Sequence, residues 1–162
     1  MDLIGYHQYD GTEIDSEIDL IEDRLYLGSL VGARDENELR SKGITHILAA
    51  LESFEGYQKL EGFEYMQIVL DDSFDVDVLG CLPRAFTFIT QAMKTGKVFV
   101  HCAMGISRSA TIVTSYLMVK YSISIIEAIK IVRKGRPGAH PNANFQNQIS
   151  AIDVNSFKCY LE

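Results

Sequence analysis

Between Val98 and Val119 the only charged side chain is Arg108, and a stretch that apolar has to be buried somewhere. A bilayer is one destination, since the length would span one. An uncompensated arginine at mid-span argues against it, as does the pattern within the stretch. Lys97-Val98-Phe99-Val100-His101 is β-branched and aromatic, Gly105 marks a turn, and the residues after Arg108 run mostly apolar to Tyr121. The reading is a buried strand, a tight turn and a buried helix.

The rest of the chain extends that alternation. Arg24-Leu25-Tyr26-Leu27-Gly28 reads as a short strand closed by glycine, and Ile44-Thr45-His46-Ile47-Leu48 as a β-branched inner strand. Between them, Asp35 with Glu38 makes a capping pattern for a short helix stopped by Gly43. Glu64 to Leu70 is a further strand, and Asp71-Asp72-Ser73-Phe74-Asp75-Val76-Asp77 is too acidic for a core element, so it forms a loop at that strand's end. Leu82, Phe86, Ile89 and Met93 recur at helical spacing with Gly96 beyond the last turn. A Ser124/Glu127 capping box opens a helix ending at Gly135 before Pro137. Phe145, Ile149, Ile152 and Phe157 suggest a last helix after Pro141-Asn142.

Strands alternating with helices predict an α/β fold, with a central, largely parallel sheet of about five strands and helices on both faces. Ligands of such sheets bind beyond the strands' carboxyl ends, where both the acidic loop and the His101–Ser109 segment fall. A length of 162 residues suits one domain, read as residues 19–158 behind an acidic, patternless extension over residues 1–18.

Fifteen basic against twenty-two acidic side chains give a net charge of −7, which repels nucleic-acid phosphates and anionic membranes at long range. Neither partner is expected, and any phosphate bound here needs concentrated local donors. Cys81, Cys102 and Cys159 are odd in number and form no CxxC pair, which suggests neither a disulfide framework nor a zinc site. The N-terminus lacks the basic and apolar regions of a signal peptide. A reducing compartment, cytoplasm or nucleus, is expected, with no cofactor and a monomeric state.

The segment Cys102-Ala103-Met104-Gly105-Ile106-Ser107-Arg108 joins the buried strand to a helix N-terminus. If Gly105 takes a positive φ there, successive main-chain N–H groups curl inward, and with the positive end of the helix they form an anion site. Cys102 at its floor is a nucleophile at neutral pH when it reacts as the thiolate. Arg108 offers a planar fork that can grip two phosphoryl oxygens at once. Ser109 offers a hydroxyl to assist the sulfur's departure. Attack by sulfur makes a phosphocysteine, and the departing oxygen needs a proton from a carboxylic acid. Asp71, Asp72, Asp75 and Asp77 are all candidates on residue type alone.

His101-Cys102-x-x-Gly105-x-Ser107-Arg108-Ser109 resembles the signature of the dual-specificity protein phosphatases, within the cysteine-dependent protein tyrosine phosphatase superfamily. The resemblance extends through Ala110-Thr111, Tyr116-Leu117-Met118, Arg136-Pro137, Pro141-Asn142, Phe145 and Gln148, and covers roughly residues 20–157. It implies a protein tyrosine phosphatase-like sheet and a small, atypical member. By position it makes Cys102 the nucleophile, Arg108 the phosphate clamp, Ser109 the assisting hydroxyl and Asp72 the general acid and base, with Asp71 next in line. Ala103, Met104, Gly105, Ile106 and Ser107 would line the phosphate. Asn142 would brace the pocket, and Arg136 would support the site, with a second phosphate or an acidic substrate side chain as its possible contact. Ala49-Ala50 and Asn144 depart from the family pattern, where asparagine and glycine are usual, and both departures are expected to leave the chemistry untouched.

The resemblance implies a phosphoprotein substrate, carrying phosphotyrosine or phosphoserine/phosphothreonine. The loop lacks the lysines that lipid phosphatases of the superfamily usually carry, which leaves a lipid or RNA phosphatase as an alternative, alongside a silent phospho-binding module. His101 is expected to bond to backbone rather than shuttle protons. His7, His46 and His140 have no metal-ligand spacing. Cys81 is expected to pack near a helix start rather than to resolve an oxidised Cys102. Cys159-Tyr160-Leu161-Glu162 has the outline of a prenylation box with an unfavourable last residue.

Overall fold

The computed structural model describes residues 1–5 and 16–162. Five strands, β1 (Ile18–Glu22), β2 (Leu25–Gly28), β3 (His46–Leu51), β4 (Glu64–Val69) and β5 (Val98–His101), hydrogen-bond in the order β1-β2-β5-β3-β4. Only β1 runs antiparallel, against β2; β2, β5, β3 and β4 are mutually parallel. The last apolar strand of the sequence therefore lands in the middle of the sheet. Its alternation explains why: Val98 and Val100 join the larger core cluster on one face, and Phe99 joins the smaller one on the other. A strand apolar on both sides is stable only where both faces are covered.

The covers are unequal. Helices α1 (Leu30–Arg34) and α2 (Glu36–Ser41) close the smaller cluster around Ile18, Tyr26, Leu39, Ile47 and Phe99. The other face carries α3 (Leu82–Thr95), α4 (Arg108–Tyr121), α5 (Ile125–Gly135) and α6 (Ala143–Ser150), with the short α7 (Val154–Phe157) behind. Every residue of α4 from Ser109 to Val119 is buried, so the apolar run reads out as a central helix wrapped by its neighbours. The Ser124/Glu127 capping box is present in both directions at the start of α5.

Three features differ from the pattern read along the chain. One short helix expected after β2 is two, because Ser29 caps α1 and Asp35 caps α2. The expected final helix breaks at Ala151, and Asp153 caps a new turn. β1 escapes pattern reading because a register shift between Leu20 and Glu22 leaves Leu20 exposed and turns Ile21 toward the core. Of the segment read as an extension, residues 1–5 pack on the helical layer: Leu3 N donates to Gln146 Oε1 at 2.8 Å, and Arg133 reaches the carbonyls of Ile4 and Gly5. Residues 6–15, with His7 among them, lie outside the described residues. Among the described residues no helix is long and apolar enough to cross a membrane.

Candidate active site

Because β2, β3 and β5 are parallel and in register through Gly28↔His101 and Ala49↔His101, the segments that follow them emerge on one edge of the sheet. The loop Cys102–Ser107 leaves β5 at that edge and feeds α4. Its conformation is fixed from outside, one carbonyl at a time. The Cys102 carbonyl is bonded to His101 Nδ1 at 3.0 Å, Ala103 O accepts from Leu30 N at 3.0 Å, and Ile106 O accepts from His140 N at 2.7 Å. Arg136 supplies the rest, with Nε on Gly105 O at 2.7 Å and Nη2 on Met104 O at 3.0 Å.

A peptide unit is planar, with its N–H and C=O pointing opposite ways. Pulling these five carbonyls outward therefore turns the loop's amides inward. Gly105 N donates to Cys102 Sγ at 3.2 Å. The N–H groups of Ala103, Met104, Ile106, Ser107 and Arg108 meet no protein acceptor among the described residues, so they are available to an anion. Gly105 makes the turn at φ 69°. A Cβ there would sit 2.5 Å from Gly28 O and 2.7 Å from Arg136 Nη2, so conformation and space both require glycine.

Cys102 is 2 % exposed at the floor of this ring, with Ser109 Oγ 3.1 Å from its sulfur. Arg108, the first residue of α4, reaches back to the end of β4, where its Nη1 donates to Leu70 O at 3.3 Å. Ser107 leaves the helix uncapped and instead donates Oγ–H to Asp72 Oδ1 at 2.6 Å, while accepting from Asn142 N at 2.9 Å. Asn142 also donates Nδ2–H to the same Asp72 oxygen at 2.8 Å. Asp72 is thus drawn onto the loop by one oxygen, and Oδ2 takes no donor among the described residues. Neither Asp71, Asp75 nor Asp77 makes such a bond: the Asp75 and Asp77 side chains are spent within the acidic loop, on Ser73 Oγ and Leu79 N.

Two residues change role relative to the sequence reading. Arg136 is 3 % exposed, and besides the two loop carbonyls it holds Ser16 O and, at 2.6 Å, Asp19 Oδ2. Four of its five N–H donors are spent on these acceptors, so its role in the structure is to brace the loop from behind. Asn144 does reach the site's machinery. Its Nδ2 bonds Ser73 O at 3.3 Å and Val76 O at 2.9 Å, and Gln148 adds Nε2 to Val76 O and Oε1 from Val78 N. The first turns of α6 therefore hold the acidic loop at several points.

His101 is fully buried and stacked between Phe99 and Tyr57. A carbonyl can only accept, so Nδ1 facing Cys102 O carries the proton, and Nε2 accepts from Tyr57 Oη at 2.9 Å. Burial pushes the imidazole down to about 4 and the Tyr57 hydroxyl above the ordinary phenol range, consistent with a neutral ring fixed between a donor and an acceptor. Tyr57 lies in the loop after β3, and nothing in its sequence spacing marks it. Away from the site, Cys81 donates Sγ–H to Val78 O, and burial pushes its thiol up to about 11. His46 pairs with Glu64, and His140 lies near Asp2. Among the described residues no group of His, Cys, Asp and Glu could hold a metal ion.

A thiol beneath inward-facing amides, at the carboxyl edge of a parallel sheet and beside a helix-borne guanidinium, is the arrangement of the cysteine-dependent phosphatases. Comparison with known proteins narrows the class. The family model "Dual specificity phosphatase, catalytic domain" matches residues 25–155. Human dual specificity protein phosphatase 26 is 39 % identical over 152 residues, covering 90 % of this chain and 71 % of that protein. MAP kinase phosphatase with leucine-rich repeats protein 1 of Dictyostelium discoideum is 36 % identical over 135 residues, which is 83 % of this chain but 16 % of that much longer one. The crystal structure of DUSP15 superimposes with a TM-score of 0.82 at 28 % identity, over 89 % of this chain and 94 % of that one. The chain belongs to the dual specificity phosphatase family. It is a protein phosphatase, and the chemistry typical of its family runs through a phosphocysteine.

Proposed function

We propose that the chain hydrolyses phosphotyrosine and phosphoserine/phosphothreonine in proteins, with Cys102 as nucleophile and Asp72 as general acid and base. In the first step the Cys102 thiolate attacks phosphorus, an S–P bond forms, the P–O bond to the substrate breaks, and the proton on Asp72 Oδ2 passes to the leaving oxygen. In the second step water attacks phosphorus and gives its proton to Asp72, and the sulfur leaves as thiolate, stabilised by Ser109 Oγ–H. The inward amides and the Arg108 fork hold the phosphoryl oxygens throughout and gain most where charge develops.

The observation that carries this reading is the set of five bonded carbonyls, which turns the loop's amides to the side where Gly105 N meets the Cys102 sulfur. For Asp72 over Asp71, the support is the pair of bonds from Ser107 and Asn142 that ties one Asp72 oxygen to the loop and leaves Oδ2 without a donor among the described residues. A protein substrate suits the rim, where Met104 and Phe74 are 67 % and 78 % exposed and no lysine stands in the loop. The test is a pair of substitutions on an alkyl phosphopeptide, whose poor leaving group demands the acid. Asp72→Ala should slow turnover by about 10²–10⁴-fold, with Asp71→Ala within a few fold of wild type. The reverse order would move the role to Asp71. Cys102→Ser should bind phosphopeptide without turning it over, and a wild-type protein inert toward aryl phosphates would leave only a binding module.

A further inference from the structure

The loop after β3 and helix α1 enclose a cavity of about 320 Å³ beside the phosphate ring, lined by Leu30, Ala33, Arg34, Tyr57, Gln58 and Leu60. Two of its walls belong to the ring's own support: Leu30 N bonds Ala103 O and Tyr57 Oη bonds His101 Nε2. The cavity is thus in contact with the loop through the neighbours of Cys102 on either side, Ala103 and His101. It also lies at the same carboxyl edge of the sheet, where the chain segments after β2, β3 and β5 emerge together.

Arg34 is the only formal charge in that lining, and no carboxylate or carbonyl among the described residues takes its donors. Its acidic neighbours are already engaged. Asp35 caps α2 through Glu38 N, Glu36 pairs with Arg40 at 2.8 Å, and Glu38 pairs with Lys42 at 3.0 Å. The guanidinium stands close enough to Tyr57 to oppose, by its charge, the larger upward push of burial on that hydroxyl. In a protein of net charge −7, an unneutralised arginine at the mouth of a cavity next to a phosphate ring is a local exception to the field around it.

We propose that this cavity is a second subsite, in which Arg34 holds an anionic side chain flanking the phosphorylated one. The proposal rests on the reading of Cys102 and its loop as the dephosphorylation site. The bound group is a planar or tetrahedral oxyanion that accepts the guanidinium fork bidentately, and either an acidic residue or a second phosphorylated residue provides one. Gln58 and the Tyr57 ring form the walls against which the intervening peptide lies.

The test compares kcat/KM for phosphotyrosine peptides in which glutamate, and separately phosphothreonine, is placed in turn at each of the three positions on either side, against an all-neutral flank. Wild type should favour one flanked position by about tenfold at low salt, and the preference should shrink as salt rises. Arg34→Ala should erase that preference and Arg34→Glu should invert it, while turnover of p-nitrophenyl phosphate stays within twofold of wild type in both. A preference for phosphothreonine alone assigns the subsite to doubly phosphorylated targets; an equal preference assigns it to acidic flanks in general. If the preference is missing in wild type or survives in Arg34→Ala, the subsite is overturned with the catalytic reading intact. A loss of p-nitrophenyl phosphate turnover in Arg34→Ala would overturn it too, by showing that Arg34 acts on the ring itself. An inert wild type would instead sink the catalytic reading on which the subsite rests.

Discussion

Asn144 is a residue whose weight shows only in three dimensions. Its two bonds to the carbonyls of Ser73 and Val76 fix the segment that carries Asp72, so its loss should act through the acid alone. Asn144→Gly is expected to lower turnover of alkyl phosphates several-fold and to leave p-nitrophenyl phosphate, whose leaving group needs little protonation, close to wild type. Equal slowing of both substrates in a leaving-group series would show that Asn144 serves folding and not the acid. Tyr57 is a parallel case on the other side of the ring. Tyr57→Phe strands the buried Nε2 of His101, which should destabilise the protein by about 1–3 kcal/mol, read from the urea midpoint.

At the scale of elements, β1 and the turn after α5 are joined behind the phosphate loop by Asp19 and Arg136, a pair buried at 2.6 Å. The paired charges balance only while both are present. Arg136→Met leaves the Asp19 carboxylate without its partner and frees the carbonyls of Met104 and Gly105, so a loss of about 3–5 kcal/mol is expected. Asp19→Asn in the same chain should recover part of the stability by removing the stranded charge, yet recover little kcat, because the two carbonyls stay unheld. Full recovery of kcat in the double variant would mean that Arg136 contributes only stability. Helix α4 shows the same division of labour: Ser107, placed to cap it, spends its hydroxyl on Asp72 and Asn142 instead.

At the scale of the whole molecule, the buried neutral imidazole sets a pH dependence. The His101 pKa is near 4 when folded against an ordinary 6.5, so between those values the unfolded chain binds a proton that the folded one does not. This contribution to stability is complete above pH 6.5 and is lost as pH falls toward 4. It amounts to about 3 kcal/mol over the window, and His140, also lowered by burial, adds to it with the same sign. Urea midpoints measured from pH 7.5 to 4.5 should fall for wild type and fall less steeply for His101→Gln. Parallel slopes in the two proteins would assign the acid sensitivity elsewhere.

Much of this protein is written locally. The uncharged run from Val98 to Val119, the turn at Gly105 and the Ser124/Glu127 box depend on neighbours a few positions away, because strand burial, positive φ and helix capping are short-range properties. That is enough to read the layered sheet, the turn from β5 into α4 at Cys102–Ser107 and the acidic loop after β4. What the fold decided are contacts between residues distant along the chain. Asp72 is bonded by Ser107 and Asn142, Arg136 by Asp19 and the loop carbonyls, and Tyr57 and Asn144 gain their partners from other segments. A hydrogen bond or ion pair is satisfied by whatever group the packing brings within about 3 Å, and one-dimensional spacing carries no record of that distance.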